Sequence, residues 1–406
     1  MSRKIVVLGA GVSGIAAARL ARLLGDSVEI CCDGKDEELP ECDLVVASPG
    51  VHPLKSNLYR QALDRQVELI SELEYGFRHF PKPILAITGT NGKTTTTELT
   101  TYILKRSGVA AVAAGNIGLP LADVAADLLE NKSDPDVAVV EVSNFQLELC
   151  REFAPFGAAL LNIESDHEDR YIDGFAGYKR IKQKIFDRVP PEKRVYGLSF
   201  PGQAHRLLAQ GKTLIDNSGK VVFDASDTPL SSPHNLENLA AALELSQLYL
   251  GHWPELPASV AGFAPGAHRQ QVVLRRNGIT FVDDSKATNP AAVFAAIRGI
   301  DTPIVILLGG LDKGMDFSPF AKLDGKVRAA VVYGECREKM RRSLPENLPV
   351  ADGGNDFRCA VELAIDFAGK GDTVLLSPAC ASMDMFKNYA ERGDKFKEYC
   401  LESVRE

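Results

Sequence analysis

The sequence predicts an α/β fold with mostly parallel sheets, divided into three domains, and three observations predict it. Apolar runs of strand length alternate with helix-length segments almost throughout the 406 residues. Most of those runs end at Gly, Ser, Thr, Asn or Asp, the residue types that open ligand-facing loops at the carboxyl ends of parallel strands. Two stretches break the pattern, the stiff Phe80-Pro81-Lys82-Pro83 and the Gly/Pro-rich Phe263-Ala264-Pro265-Gly266-Ala267. They set domains at 1–80, 81–264 and 265–406.

In the first domain the strands are expected at Lys4–Leu8 and Leu44–Ala47, each an apolar run stopped by Gly or Ser. The second domain has Ile84–Thr88, Val137–Val142 and Ala158–Ile163. The third has Thr280–Asp283, Ile304–Leu308, Ala329–Tyr333 and Thr373–Leu376. Hydrophobic residues make up 45% and charged residues 25%, enough apolar material for a core in each domain. A net charge of −8 argues against a general binder of nucleic acid or anionic membrane, though not against anionic small molecules. The N-terminal stretch has no signal-peptide pattern, and no run is long and apolar enough for a membrane span. The eight cysteines form no CxxC pair or zinc-like spacing, so reduced thiols in a cytoplasmic protein are expected.

The strongest local signal is ILAITGTNGKTTTT at 84–97. An apolar strand runs into Gly89-Thr90-Asn91-Gly92-Lys93-Thr94-Thr95, and a helix-like segment follows. Glycines let the backbone turn its N–H groups onto phosphate oxygens, and the helix N-terminus adds a favourable dipole. Lys93 suits the β- and γ-phosphates, and the Thr94 hydroxyl suits Mg²⁺. The spacing is shorter than GxxxxGK[ST], with Ile87 where the first Gly would stand.

A second glycine turn, Gly9-Ala10-Gly11-Val12-Ser13-Gly14, follows the first strand, and Asp33 lies about 20 residues on. A nicotinamide or flavin site uses this pattern. So does a cradle for another diphosphate, such as that of a UDP-sugar, with Asp33 at the nucleoside end. The next strand closes at Ser48-Pro49-Gly50, too soon for a complete dinucleotide fold, so this domain reads as truncated and Rossmann-like.

Further strings join these two: GNIG at 115–118, EVSNFQLE at 141–148, SDHEDRY at 165–171, HNLEN at 234–238 and AHR at 267–269. DDSKATNP at 283–290, LLGGLDKG at 307–314 and LSPACASMDMFKNY at 376–389 complete the set. In this order, along the whole chain, they resemble the Mur ligase family. The SPG, DSKATN and SPACAS strings resemble most the branch that adds D-glutamate to UDP-N-acetylmuramoyl-L-alanine. The resemblance implies a P-loop ATPase-like central domain, a Rossmann-like C-terminal domain, and amide formation driven by ATP through an acyl phosphate. It also implies no nucleic-acid partner, and a monomer is expected.

Site residues follow from the same resemblance. Lys93, Glu141, His167, Lys182 and Lys286 form the expected catalytic group. Thr94, Glu141, His167 and Lys182, the last as a carbamate, are the expected holders of two Mg²⁺ ions. Lys179 and Lys184 compete with Lys182 for that register. ATP is expected on Gly89 to Thr95, Asn238, Arg269 and Asp284, with Asp284 on the ribose or a neighbouring polar group. The UDP-sugar falls to Gly11, Val12, Ser13, Asp33, Ser48, Asn116, Ser143 and His167. D-Glutamate falls to His167, Thr288, Lys313, Ser382 and Tyr389, where two carboxylates call for a lysine and hydroxyl donors. Gly34, Asn144 and Tyr389 depart from the family's commoner residues. Rival readings are a nicotinamide-dependent oxidoreductase, a non-catalytic nucleotide-sugar sensor, and a ligase for L-alanine, for diaminopimelate or lysine, or of the folate type. Cys380 is expected to be buried and inert.

Overall fold

The computed structural model describes residues 2–166, 170–200, 202–255, 259–323 and 325–403. These residues fall into two compact units. One is built from the chain up to 263, and the other from 264 onward with the short stretches 164–166 and 232–234.

The first unit opens with a four-stranded parallel sheet, order β2-β1-β3-β4. Its strands are β1 (Lys4–Leu8), β2 (Ser27–Cys31), β3 (Leu44–Ala47) and β4 (Glu68–Ser71). Helix α1 (Val12–Leu23) makes the crossover from β1 to β2, and α2 (Asn57–Asp64) that from β3 to β4. No helix lies between β2 and β3 among the described residues, which is the truncation the sequence predicts. Helix α3 (Glu72–His79) leaves β4 with Ser71 as its cap, the Ser71 hydroxyl accepting from Glu74 N.

A five-stranded parallel sheet follows, order β6-β7-β5-β8-β9. It comprises β5 (Ile84–Thr88), β6 (Ala111–Gly115), β7 (Val137–Glu141), β8 (Gly157–Leu160) and β9 (Arg194–Tyr196). Its helices are α4 (Lys93–Arg106), α5 (Leu121–Leu129), α6 (Asn144–Glu148) and α7 (Phe175–Gln183). Strands β5, β7 and β8 are buried along their whole length, as expected for a parallel sheet covered on both faces. Two carboxylates of α3 reach into this part of the unit. Glu72 accepts from Ala122 N at 2.8 Å, and Glu74 accepts from the N–H groups of Arg151, Glu152 and Phe153.

A small antiparallel sheet, β10 (Leu207–Gln210), β11 (Thr213–Asp216) and β12 (Val221–Asp224), packs its apolar face with α4 and α8 (Pro233–Leu250). The sequence reading missed it. It also ran the strand at 158–163 too far. The strand stops at Leu160 because Asn162 turns away to bond the loop after β5. Likewise β7 stops at Glu141, where Ser143 begins to cap α6.

The second unit holds a six-stranded sheet, order β13-β14-β18-β15-β16-β17, parallel except for β13 against β14. The strands are β13 (Gln271–Arg276), β14 (Ile279–Asp283), β15 (Ile304–Gly309), β16 (Val327–Tyr333), β17 (Val350–Asp352) and β18 (Thr373–Ala379). Helices α9 (Pro290–Arg298), α10 (Arg337–Ser343), α11 (Phe357–Phe367) and α12 (Tyr389–Ser403) cover it, giving one apolar cluster on each face. The α/β class with mostly parallel sheets is therefore what the chain adopts. Among the described residues no helix is long and apolar enough to cross a membrane.

Candidate active site

The loop after β5 is braced from several directions. Thr88 ends the strand by donating its hydroxyl to Val142 O at 2.7 Å. Gly92 sits at φ +82°, and a Cβ there would lie 2.2 Å from Asn238 Oδ1, so glycine is required. Asn162 clamps the loop: its carbonyl accepts from Thr90 N at 3.1 Å, its side-chain oxygen from Asn91 N at 2.8 Å, and its amide donates to Asn91 O at 3.2 Å. Thr90 Oγ1 lies 3.0 Å from the Tyr178 hydroxyl. Lys93, first residue of α4, donates to Gly89 O and Thr90 O, both at 2.9 Å. The result is a strand-to-helix turn with a fixed ammonium at the start of a helix, an arrangement that suits an anion.

The ends of β5, β6 and β7 bring Thr94 and Glu141, expected at the metal, together with Asn116, expected at the UDP-sugar. Thr94 Oγ1 donates to Glu141 Oε2 at 2.7 Å, and Asn116 Nδ2 donates to Glu141 Oε1 at 2.8 Å. Thr95 is buried in the first turn of α4, and Asn238 accepts from Thr96 Oγ1 at 3.3 Å. Three lysines compete on and after α7, and the geometry separates them. Lys179 is exposed. Lys184 donates to the carbonyls of Leu147, Glu148 and Cys150 at the end of α6. Lys182 is 1% exposed and donates to Gly89 O at 2.8 Å, so it is the one that reaches the phosphate loop. Ser143 caps α6 in a capping box with Gln146. His167 lies outside the described residues. Among the described residues no cluster of three His, Cys, Asp or Glu side chains converges.

In the same unit a pocket of about 540 Å³ opens at the carboxyl edge of the first sheet, lined by Gly11, Val12, Ser13, Asp33, Ser48 and Asn116. These are six of the eight residues predicted for the UDP-sugar. His52 and Lys55 also line it and were missed, although they follow Ser48-Pro49-Gly50 closely in the sequence. Asp33 Oδ1 accepts from Asn57 N at 3.0 Å and Leu58 N at 3.3 Å, so part of its carboxylate already serves the start of α2. Gly9 turns at φ +94°, and a Cβ on Gly14 would stand 1.9 Å from Gly9 O.

In the second unit the predicted residues sit on loops at strand ends. Lys313 follows β15 and Ser382 follows β18, and their loops are paired through Leu311 N to Ala381 O at 2.9 Å and Ala381 N to Leu311 O at 3.2 Å. Lys286 Nζ stands 3.8 Å from the centroid of the Tyr389 ring, and Thr288 is half-buried just before the α9 cap Asn289. Asp284 is buried. It accepts from Gln270 N at 3.2 Å and Ser377 Oγ at 2.9 Å, and burial pushes its carboxyl up to about 7 against those hydrogen bonds. Arg269 is half-buried, one residue before the Gln270 whose N–H bonds Asp284. His268 Nδ1 lies 2.6 Å from Asp283 Oδ2, a supporting contact.

Arg392 went unnoticed in the sequence. It is fully buried and binds Ser285 Oγ, Ser285 O and Cys380 O at 2.9, 2.8 and 3.1 Å, tying the loop after β14 to the loop after β18. Cys380 is buried with its Sγ 3.1 Å from Cys336 Sγ. The Cys336 contact and burial hold the Cys380 thiol well above its ordinary value.

Residues 87–200 match the Mur ligase middle domain, and residues 268–380 match the Mur ligase, glutamate ligase domain. The chain is 36% identical over 451 residues to the UDP-N-acetylmuramoylalanine–D-glutamate ligase of Caldanaerobacter subterraneus subsp. tengcongensis, covering 99% of each. It is 35% identical over 446 residues to the ligase of that name from Desulfosudis oleivorans, covering 97% of this chain and 95% of the relative. Two solved structures share its fold. A pseudomurein peptide ligase type C from Methanothermus fervidus matches at TM-score 0.60 and 18% identity, over 99% and 100% of the two chains. A MurF ligase from Thermotoga maritima in complex with ADP matches at TM-score 0.60 and 16% identity, over 89% of each.

Proposed function

This chain belongs to the Mur ligase family, and from that premise we propose that it is the ATP-dependent ligase that joins D-glutamate to UDP-N-acetylmuramoyl-L-alanine in peptidoglycan precursor synthesis. The observation that carries the reading is the match to relatives of that name along 99% of the chain. The pocket that gathers Gly11, Val12, Ser13, Asp33, Ser48 and Asn116 supports it from a separate direction.

In this reading the γ-phosphate of ATP passes to the carboxylate of the UDP-sugar substrate, giving ADP and an acyl phosphate. The amine of D-glutamate attacks the acyl carbon, and the tetrahedral intermediate expels phosphate as the amide forms. The physical difficulty is to bring two anions together and keep them aligned. Lys93 neutralises the γ-phosphate from the start of α4, and Arg269 adds its fork as charge redistributes. Asn238 fixes α4 beneath the nucleotide, and Lys286 approaches the acyl phosphate.

Thr94 and Glu141 present two hard oxygen donors 2.7 Å apart, the chemistry Mg²⁺ selects, so the donor set fits that ion. When bound there, Mg²⁺ supplies charge neutralisation for the phosphates. We assign His167 to the same ion as Glu141, and a second Mg²⁺ to Lys182 as a carbamate. Carbamylation would turn the buried Lys182 cation into an oxygen-donor anion beside Gly89. D-Glutamate is assigned to Thr288, Lys313, Ser382 and Tyr389 with His167, and Ser143 to the sugar side. The reading carries with it a cytoplasmic enzyme acting as a monomer, with three domains at 1–80, 81–264 and 265–406.

The test is phosphate release from ATP with UDP-N-acetylmuramoyl-L-alanine, comparing D-glutamate with L-glutamate, L-alanine and diaminopimelate. Release with D-glutamate alone supports the reading. Release with another amino acid keeps the family and moves the substrate. ATP binding with no release from any of them favours a nucleotide-sugar sensor.

A further inference from the structure

We infer that Arg170 is a positioning residue that sets the wall of the nucleotide-sugar pocket against the phosphate-binding edge. The inference rests on the ligase reading for its substrate, but its geometry stands apart from it. Arg170 is 9% exposed. Its Nε and Nη2 donate to Glu148 Oε1 and Oε2, both at 2.7 Å, in the parallel fork that carboxylate and guanidinium form best. The guanidinium lies 4.3 Å from the Phe145 ring centroid. Nη2 also donates to Val51 O at 3.2 Å.

That last bond crosses between two parts of the first unit. Val51 lines the pocket with Ser48, on the loop that leaves β3. Glu148 closes α6, at the far end of the string that begins with Glu141, so its position is fixed by the same segment that carries the phosphate-side carboxylate. The carboxylate is itself held: Glu148 Oε1 accepts from the Tyr171 hydroxyl at 2.7 Å, and Asn144 Nδ2 donates to that hydroxyl at 2.8 Å. A continuous polar path therefore runs from Asn144 through Tyr171, Glu148 and Arg170 to the carbonyl of Val51.

A buried ion pair is a poor choice for stability alone, since apolar residues of the same volume hold a core as well without the desolvation cost. It is a good choice for direction. With the fork and the ring fixing the guanidinium plane, the second N–H of Nη2 has one direction left to it, at Val51 O. Loss of that direction shifts the pocket wall relative to Lys93 and Glu141, and small misplacements of this kind are costly for a reaction between two held groups.

The experiment compares wild type with Arg170→Ala and Arg170→Lys. It measures KM for each substrate, the Kd of UDP-N-acetylmuramoyl-L-alanine without ATP, and Tm. The expected result is a rise in UDP-sugar KM and Kd on the order of tenfold or more for Arg170→Ala. ATP KM should stay within about twofold, and millimolar guanidinium should restore part of the loss. Arg170→Lys keeps the charge without the fork and should still bind the UDP-sugar more weakly than wild type. If Arg170→Ala fails to fold, Arg170→Lys decides by the same split between the two substrates. Equal rises in both KM values, or an unchanged UDP-sugar Kd in a folded variant, would overturn the inference. Wild type that binds the UDP-sugar yet releases no phosphate sinks the ligase reading and leaves the Kd comparison to judge Arg170. Wild type that binds no UDP-sugar sinks both.

Discussion

The glycine loop after β1 and the glycine loop after β5 make the same turn from a buried strand into a helix, but they are held differently. After β1 the fixation is mainly steric. Gly9 takes φ +94°, Gly14 leaves 1.9 Å between its missing Cβ and Gly9 O, and Ser48 Oγ donates to Gly9 O at 3.3 Å. Val12 and Ile15 at the head of α1 remain 69% and 57% exposed. After β5, side chains from three other segments close on the loop: Asn162 after β8, Tyr178 and Lys182 on α7, and Asn238 on α8. The contrast follows from the tasks proposed for them. A loop that only binds a diphosphate needs N–H groups and room. A loop that holds a phosphate through transfer must not move, and preorganised donors are what lower such a barrier.

The largest expected effect falls on the braced loop. Lys93→Ala should lower kcat for phosphate release by about 10²–10³-fold or more, the range for losing one preorganised charge partner. UDP-sugar binding should be unchanged. A variant that kept wild-type turnover would remove the reason for treating the two loops differently.

Next come the glycines, which break the comparison from the other side. Gly14→Ala forces a methyl onto a backbone oxygen and should cost about 1–3 kcal/mol, as overpacking does. It should raise the UDP-sugar KM and leave that of ATP alone. Gly92→Ala, at φ +82° and 2.2 Å from Asn238 Oδ1, should do the reverse. Thermal melts with both KM values check the pair. If both variants weakened both substrates alike, the loops would not be separate devices.

A smaller effect tests the brace itself. Asn162→Ala removes one side-chain bond to Asn91 N and one to Asn91 O. It should cost about 1–3 kcal/mol of stability, the usual net value of two hydrogen bonds. ATP KM should rise severalfold, and an unchanged ATP KM would mean that the loop needs no clamp.

These braces also explain what could and could not be read from the chain. TGTNGKT and GAGVSG are legible because a strand, a glycine turn and a helix start are neighbours in sequence, and local rules govern them. The residues that hold the loops come from far away. Asn162 is 71 residues from Asn91, Tyr178 is 88 from Thr90, Arg392 is 107 from Ser285 and Arg170 is 119 from Val51. No periodicity announces such pairs. Asp33 carries the opposite lesson. Its place about 20 residues after the turn is a ligand signal, yet the same carboxylate bonds the start of α2, a contact only the fold could reveal. The hairpins of β10 to β12 escaped because their short strands are only partly buried and mix apolar with polar residues, whereas the equally short β3 is an unbroken, buried apolar run.

The last prediction concerns the joint between the two regions. Glu72, on α3, bonds Ala122 N at the start of α5, and burial pushes its carboxyl from an ordinary 4.5 up to about 7. Its second oxygen is buried with no hydrogen-bond partner among the described residues. Because the folded pKa is the higher one, the native state keeps a proton that the unfolded chain gives up. The stabilising contribution is therefore full below about pH 4.5, falls as pH rises, and is gone above about 7. Glu72→Gln keeps an oxygen for the Ala122 N–H and cannot ionise. Its Tm should match wild type near pH 4.5 and exceed it by several degrees at pH 8, because a rise from 4.5 to about 7 corresponds to about 3 kcal/mol and each kcal/mol moves Tm by roughly 2–4 °C in a unit of this size. Parallel Tm curves across that range would show that Glu72 does not titrate in the joint. A crossing confined to one of two resolved transitions would show that the steric loop and the braced loop belong to parts that melt separately.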